Sequence, residues 1–132
     1  MSEYSKKPTD GIRNKQYSFY TIYVDGKSPF EDFCASLKQT RDISNLKKLY
    51  AIMDRFGDNL VGSTMVNHIH GAKYDRDDVY EFKKDNMRIY FALMKPNVML
   101  LLGGFKGKQE KSIETVFRKF NQLPTDIPDY EP

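Results

Sequence analysis

The fold is decided by one stretch: Val79-Tyr80-Glu81-Phe82-Lys83-Lys84-Asp85-Asn86-Met87-Arg88-Ile89-Tyr90-Phe91-Ala92-Leu93-Met94-Lys95-Pro96-Asn97-Val98-Met99-Leu100-Leu101-Leu102-Gly103-Gly104-Phe105. Its apolar and β-branched runs are punctuated by two short polar breaks, the pattern of three sequential strands joined by tight turns. Lys84-Asp85-Asn86 suits the first turn, because Asn tolerates positive φ. Lys95-Pro96-Asn97 makes the second. Residues 87–94 alternate. Met87, Ile89, Phe91 and Leu93 fall on one face, and Arg88, Tyr90, Ala92 and Met94 fall on the other. Residues 98–102 are apolar throughout, which predicts a central strand buried on both faces. Gly103-Gly104 is expected to break that strand.

Before this meander, residues 17–24 are rich in Tyr, Phe, Ile and Val and read as another strand, ended by Asp25-Gly26. Ser28-Pro29-Phe30-Glu31 starts a helix. Ser28 can cap the first turn, Glu31 can reach back to the Ser28 amide, and Pro29 sits where no amide hydrogen is needed. Phe30, Phe33, Cys34 and Leu37 recur at helical spacing. After a break at residues 39–42, Ile43, Leu46, Tyr50, Met53 and Phe56 mark a second helix stopped by Gly57. So short a link predicts an antiparallel helix hairpin. Residues 58–77 read as loop with one short strand at most. After the meander, Ile113, Val116, Phe117 and Phe120 form the inner face of a last helix over residues 112–122. Residues 1–16 are polar and aperiodic and read as a flexible arm. Pro124 and Pro128 leave residues 124–132 as an acidic tail. One domain, residues 17–123, follows from a length of 132 residues. The fold class is α+β: an N-terminal strand and helix hairpin packed on a small, mainly antiparallel sheet, with a C-terminal helix.

Composition narrows the function. A single cysteine excludes an intramolecular disulfide and suits a reducing compartment. No apolar run is long enough for a membrane helix, and the N-terminus lacks the apolar core of a secretory signal, so the cytoplasm is the expected location. Net charge is +3, but unevenly spread. Residues 81–119 hold nine Lys/Arg against four Asp/Glu, whereas the tail carries Asp126, Asp129 and Glu131. A basic sheet and terminal helix fit a polyanionic partner. Charge alone, however, favours an ordinary solvated face. His68 and His70, spaced i, i+2, lack an evident third metal ligand and read as polar loop residues. Cys34, on the apolar helix face, reads as an inert thiol. Tyr17, Phe19, Tyr20 and Tyr23 read as sheet packing before base stacking.

Several pieces, taken in order, resemble the RelE/ParE superfamily of bacterial toxins, most closely its HigB-like members. They are Ser28-Pro29-Phe30-Glu31-Asp32-Phe33 at the first helix, Val79-Tyr80-Glu81-Phe82-Lys83, Met87-Arg88-Ile89-Tyr90-Phe91, and Leu100-Leu101-Leu102-Gly103-Gly104-Phe105-Lys106-Gly107-Lys108. The resemblance implies the toxin of a toxin–antitoxin system, an endoribonuclease that cuts messenger RNA on the ribosome without a metal or other cofactor. It implies Arg88, Lys106 and Lys108 as catalytic residues that stabilise charge on the phosphate, and Lys83 and Lys111 as RNA-binding residues. Its implied partners are a cognate antitoxin, the ribosome and mRNA, with self-association left open. The chain departs from the family in two places. Gly103 stands where HigB-like members often carry His, and no Tyr matches the one that some RelE-like members use in the last helix. The proton-transfer group is therefore unassigned. Two alternatives stand beside this reading: a non-catalytic or gyrase-directed member of the same fold, and a small nucleic-acid-binding domain.

Overall fold

A computed structural model describes residues 2–58, 64–70 and 74–132. Its strands are β1 (Tyr4–Pro8), β2 (Ser18–Val24), β3 (Val66–His68), β4 (Val79–Lys84), β5 (Met87–Met94) and β6 (Asn97–Phe105). Its helices are α1 (Pro29–Ser36), α2 (Thr40–Asp54) and α3 (Gln109–Phe120), the last entered through a 3₁₀ turn at Lys106–Lys108. The strands form one six-stranded sheet in the order β1-β2-β6-β5-β4-β3. Every pairing is antiparallel except β2 with β6, which is parallel. This is the α+β, mainly antiparallel architecture that the periodicity predicts. No helix among the described residues is long and apolar enough to cross a membrane.

Both faces of the sheet are covered, which explains why β5 and β6 are buried almost end to end. On one face Phe82, Met87, Ile89, Phe91, Val98 and Leu100 pack with Phe30 of α1 and with Leu49, Ile52 and Met53 of α2. On the other, Tyr90, Ala92, Met99 and Leu101 pack with Val116, Phe117 and Phe120 of α3. The alternation read along β5 is therefore the division between two cores. α1 and α2 share one face, joined through residues 37–39. α1 packs on β6 and β2, and α2 on β4 and β5.

Ser28 caps α1 as the sequence predicts. Its Oγ accepts the Glu31 amide at 3.1 Å, and Pro29 occupies the first turn. The reciprocal half of the capping box is absent. The Glu31 carboxylate instead accepts the Tyr23 hydroxyl at 2.9 Å and pairs with Lys7 at 3.6 Å. Ser28 is buried, so its hydroxyl has this one role. Ser28→Ala is expected to cost about 1 kcal/mol, read as a lower denaturant midpoint at unchanged slope; an unmoved midpoint refutes the cap.

Four local expectations are corrected. Residues 1–16, expected to lack regular structure, contribute β1. Lys6, Lys7 and Pro8 suit an outer strand, since charge and proline are how sheet edges resist further pairing. Beyond β1, Asn14 ties the segment to the end of α2 by donating to the Met53 and Phe56 carbonyls at 2.9 and 2.7 Å. The acidic tail is not free. Ile127 is buried, Lys6 and the tail exchange backbone bonds at Pro128 and Tyr130, and Tyr130 stacks on Tyr23 at 4.0 Å. Ile43, expected on the inner face of α2, is 40% exposed; the inward residues are Asn45, Leu49, Ile52 and Met53. Gly103-Gly104 does not break β6, which runs on to Phe105. Two smaller details also differ: positive φ in the β4–β5 turn falls on Asp85 rather than Asn86, and α3 begins at Gln109 rather than near Ser112. Of the stretch 58–77, Val66–His68 is the one strand among the described residues, and residues 59–63 and 71–73 lie outside them.

Candidate functional site

The two-residue turn Asp85-Asn86 sets the register of the β4–β5 hairpin. Lys83 lies opposite Arg88, and Glu81 lies opposite Tyr90. On its other side Arg88 is opposite Gly104 of β6. Cross-strand partners share a face, so Glu81, Lys83, Arg88 and Tyr90 all point toward the side that α3 covers. The Lys106 amide donates to the Asn86 carbonyl at 2.7 Å, which ties the 3₁₀ turn to the tip of the same hairpin. Lys106 and Lys108 on that turn and Lys111 on the first turn of α3 are exposed, and they line an open depression with Glu110 and Glu114. Lys83 is half-buried. The five cations singled out from the sequence therefore gather at one end of the sheet.

Arg88 is not presented to solvent. It is 7% exposed, and its guanidinium is engaged within the protein. Nη1 donates to the Asp85 and Met87 carbonyls at 2.8 and 2.9 Å, and Nε lies 3.9 Å from Glu81 Oε2. Arg88, which the resemblance implies as a catalytic cation, is covered because α3 lies across this face of the strand. Gly104 lies beneath that helix: a Cβ there would stand 2.7 Å from Ser112 Oγ of α3.

Two residues around Arg88, Glu81 and Tyr90, were not singled out as site residues from the sequence. Glu81 is 1% exposed. Its carboxylate accepts Gln109 Nε2 at 2.7 Å and Asn67 Nδ2 at 3.5 Å. Tyr90 is fully buried, and its hydroxyl lacks a hydrogen-bond partner among the described residues, as does Arg88 Nε. Burial pushes the Tyr90 hydroxyl well above its ordinary pKa, and the Glu81 charge adds to this while Arg88 opposes it. The signal for Glu81 was available. A carboxylate at the centre of an otherwise apolar strand needs a partner, and the two-residue turn puts Arg88 diagonally across from it.

The remaining candidates are structural. His68 Nε2 lies 2.7 Å from the Asp77 carbonyl oxygen, and its ring stacks on Tyr80 at 4.5 Å and faces His70 at 5.1 Å. Among the described residues no group of three or more His, Cys, Asp or Glu side chains is placed to hold a metal ion. Burial pushes the Cys34 thiol up to about 11, with Glu31 adding to the shift, so little thiolate forms near neutral pH. Phe19 and Tyr23 are buried and Tyr17 stacks on Phe56 at 4.9 Å. Lys6 lies over the Tyr20 ring. None of these is an open stacking platform.

No protein-family model matches the chain, and no curated protein matches it.

Proposed function

We propose that the chain is a RelE-like toxin of a toxin–antitoxin pair, acting in the cytoplasm as a metal-independent endoribonuclease on ribosome-bound mRNA and held in check by a cognate antitoxin. The observation that carries this reading is the gathering of Lys83, Lys106, Lys108 and Lys111 around one hairpin tip and one helix start. In-line attack of a ribose 2′-hydroxyl on its own phosphate builds negative charge on the phosphoryl oxygens. Exposed lysines beside a backbone turn that lacks bulky side chains at Gly107 can approach that charge closely. In this proposal Lys106 and Lys108 stabilise the reacting phosphate, Lys83 and Lys111 bind flanking phosphates, and Arg88 is a positioning residue. Its two bonds to the Asp85 and Met87 carbonyls fix the hairpin tip from which Lys106 hangs.

One observation favours the second reading, a non-catalytic or gyrase-directed relative. Arg88, one of the three cations expected to be catalytic, is paired and buried. Inducing the chain in a bacterium while mapping mRNA ends separates the readings. Growth arrest with new mRNA ends is the expected result. Lys106→Ala with Lys108→Ala is expected to lower cleavage by about 10²-fold or more while leaving the melting transition in place. Arrest without cleavage points to the second reading. No arrest refutes both and leaves a small nucleic-acid-binding domain.

A further inference from the structure

α2 carries a second basic surface, on the opposite face of the sheet from α3. Its inward side, Asn45, Leu49, Ile52 and Met53, fixes which residues face out. Arg41, Lys48 and Arg55, the last at the C-cap of the helix, recur every seventh residue and so fall in one line along it. Lys47, one position before Lys48, is turned about 100° away from the line, and all four are exposed. The residues between them on that line are Ser44 and Ala51, both small. None of the four cations forms an ion pair among the described residues. The two acids of this helix do not neutralise the line. Each is one position from a cation of the line and so is turned about 100° away from it, and Asp54 accepts the Arg13 amide at 2.6 Å. That bond also brings the exposed Arg13, with Lys15 two residues on, to the Arg55 end.

At 1.5 Å per residue, Arg41 and Arg55 are about 21 Å apart along the axis, and neighbouring cations of the line about 10 Å. A single small anion cannot span that distance, whereas an extended polyanion can. A protein partner would need a buried aromatic or aliphatic anchor at the centre of its contact. This line offers none. Ile43, the exposed large apolar residue of α2, lies off it on the other flank. A phosphodiester backbone needs only regularly placed cations and room to approach them, which Ser44 and Ala51 provide. We infer that the α2 line Arg41, Lys48 and Arg55 docks the phosphate backbone of a folded RNA, separately from the lysines around α3. The choice of RNA over DNA rests on the function proposed above; the polyanion surface itself does not.

The test is fluorescence anisotropy of the full chain on a short RNA duplex at several salt concentrations, with a DNA duplex of matching sequence alongside. Three cations reversed together (R41E, K48E and R55E) are expected to weaken RNA binding by about tenfold or more and to flatten the log affinity against log salt slope by about two to three. Neutral replacement (R41Q, K48Q and R55Q) is expected to show the same flattening, and serves if charge reversal impairs folding. Lys106→Ala with Lys108→Ala should retain the part of the slope due to α2. Unchanged affinity and slope in both α2 variants overturns the inference, as does failure of the parent to bind either duplex. Tighter binding to DNA overturns the assignment to RNA. Growth arrest and mRNA cleavage are read separately, so loss of the toxin reading leaves this outcome distinct.

Discussion

Replacing Arg88 by Ala is expected to destabilise the protein by about 3–5 kcal/mol, enough to unfold most of a marginally stable domain. The cost does not come from a strong ion pair. At 3.9 Å with Nε unbonded, the contact with Glu81 is loose. It comes from what is left behind. Glu81, 1% exposed, would be left in the sheet with only Gln109 and the longer Asn67 contact as partners. Two backbone carbonyls, Asp85 and Met87, would also lose their donor. Removing both charges should be far milder. Glu81→Leu with Arg88→Met is expected to recover most of the loss, since apolar residues of similar volume replace buried pairs well. Denaturant titration checks both, and Arg88→Ala within about 1 kcal/mol of the parent would show that the guanidinium is not buried as described. A practical consequence follows for the functional experiments. Loss of growth arrest in an Arg88 variant reports unfolding before it reports catalysis, and the exposed Lys106 and Lys108 are the residues to alter.

The strands of the meander, the cap at Ser28 and the two faces of β5 were legible because each is a local signal. Periodicity, a capping serine and two-residue turns act over a few residues. What failed was non-local. β1 could not be read from Tyr4-Ser5-Lys6-Lys7-Pro8, because its pairing depends on β2 and on the tail residues Pro128 to Tyr130, more than a hundred positions away. The candidate site was legible as a set of cations but not as an arrangement. Lys83, Lys106, Lys108 and Lys111 do gather at one end of the sheet. The burial of Arg88, by contrast, depends on where α3 lies, and the amphipathic pattern of α3 says only that it covers some apolar face.

Gly103→Ala is expected to cost about 3 kcal/mol, at the upper end of what overpacking a core usually costs, and to lower the melting temperature by about 10 °C. A Cβ at this position would stand 2.1 Å from Cδ2 of Phe33 and 2.5 Å from its Cγ. These atoms belong to an aromatic ring on α1 that lies over β6, with the ring of Phe105, the last residue of the strand, 5.4 Å away. The ring cannot yield without moving the helix. Gly104→Ala provides the contrast. Its Cβ meets Ser112 Oγ at 2.7 Å, but a serine hydroxyl can rotate away, and Gly→Ala in a strand recovers about 0.5–1 kcal/mol of backbone entropy. Little net change is expected there. A β-bulge decides which glycine meets which helix. The β5–β6 register passes from Tyr90 opposite Leu102 to Phe91 opposite Leu100, leaving Leu101 without a partner. Strict alternation from Val98 would have placed Gly104 on the α1 face, and the extra residue gives that place to Gly103. Thermal melting of Gly103→Ala alone and combined with Phe33→Ala checks the packing. If the ring is the obstacle, the two substitutions together should cost clearly less than the sum of each alone. Additive losses, or a Gly103→Ala protein that melts with the parent, would show that α1 does not close on β6 at this glycine.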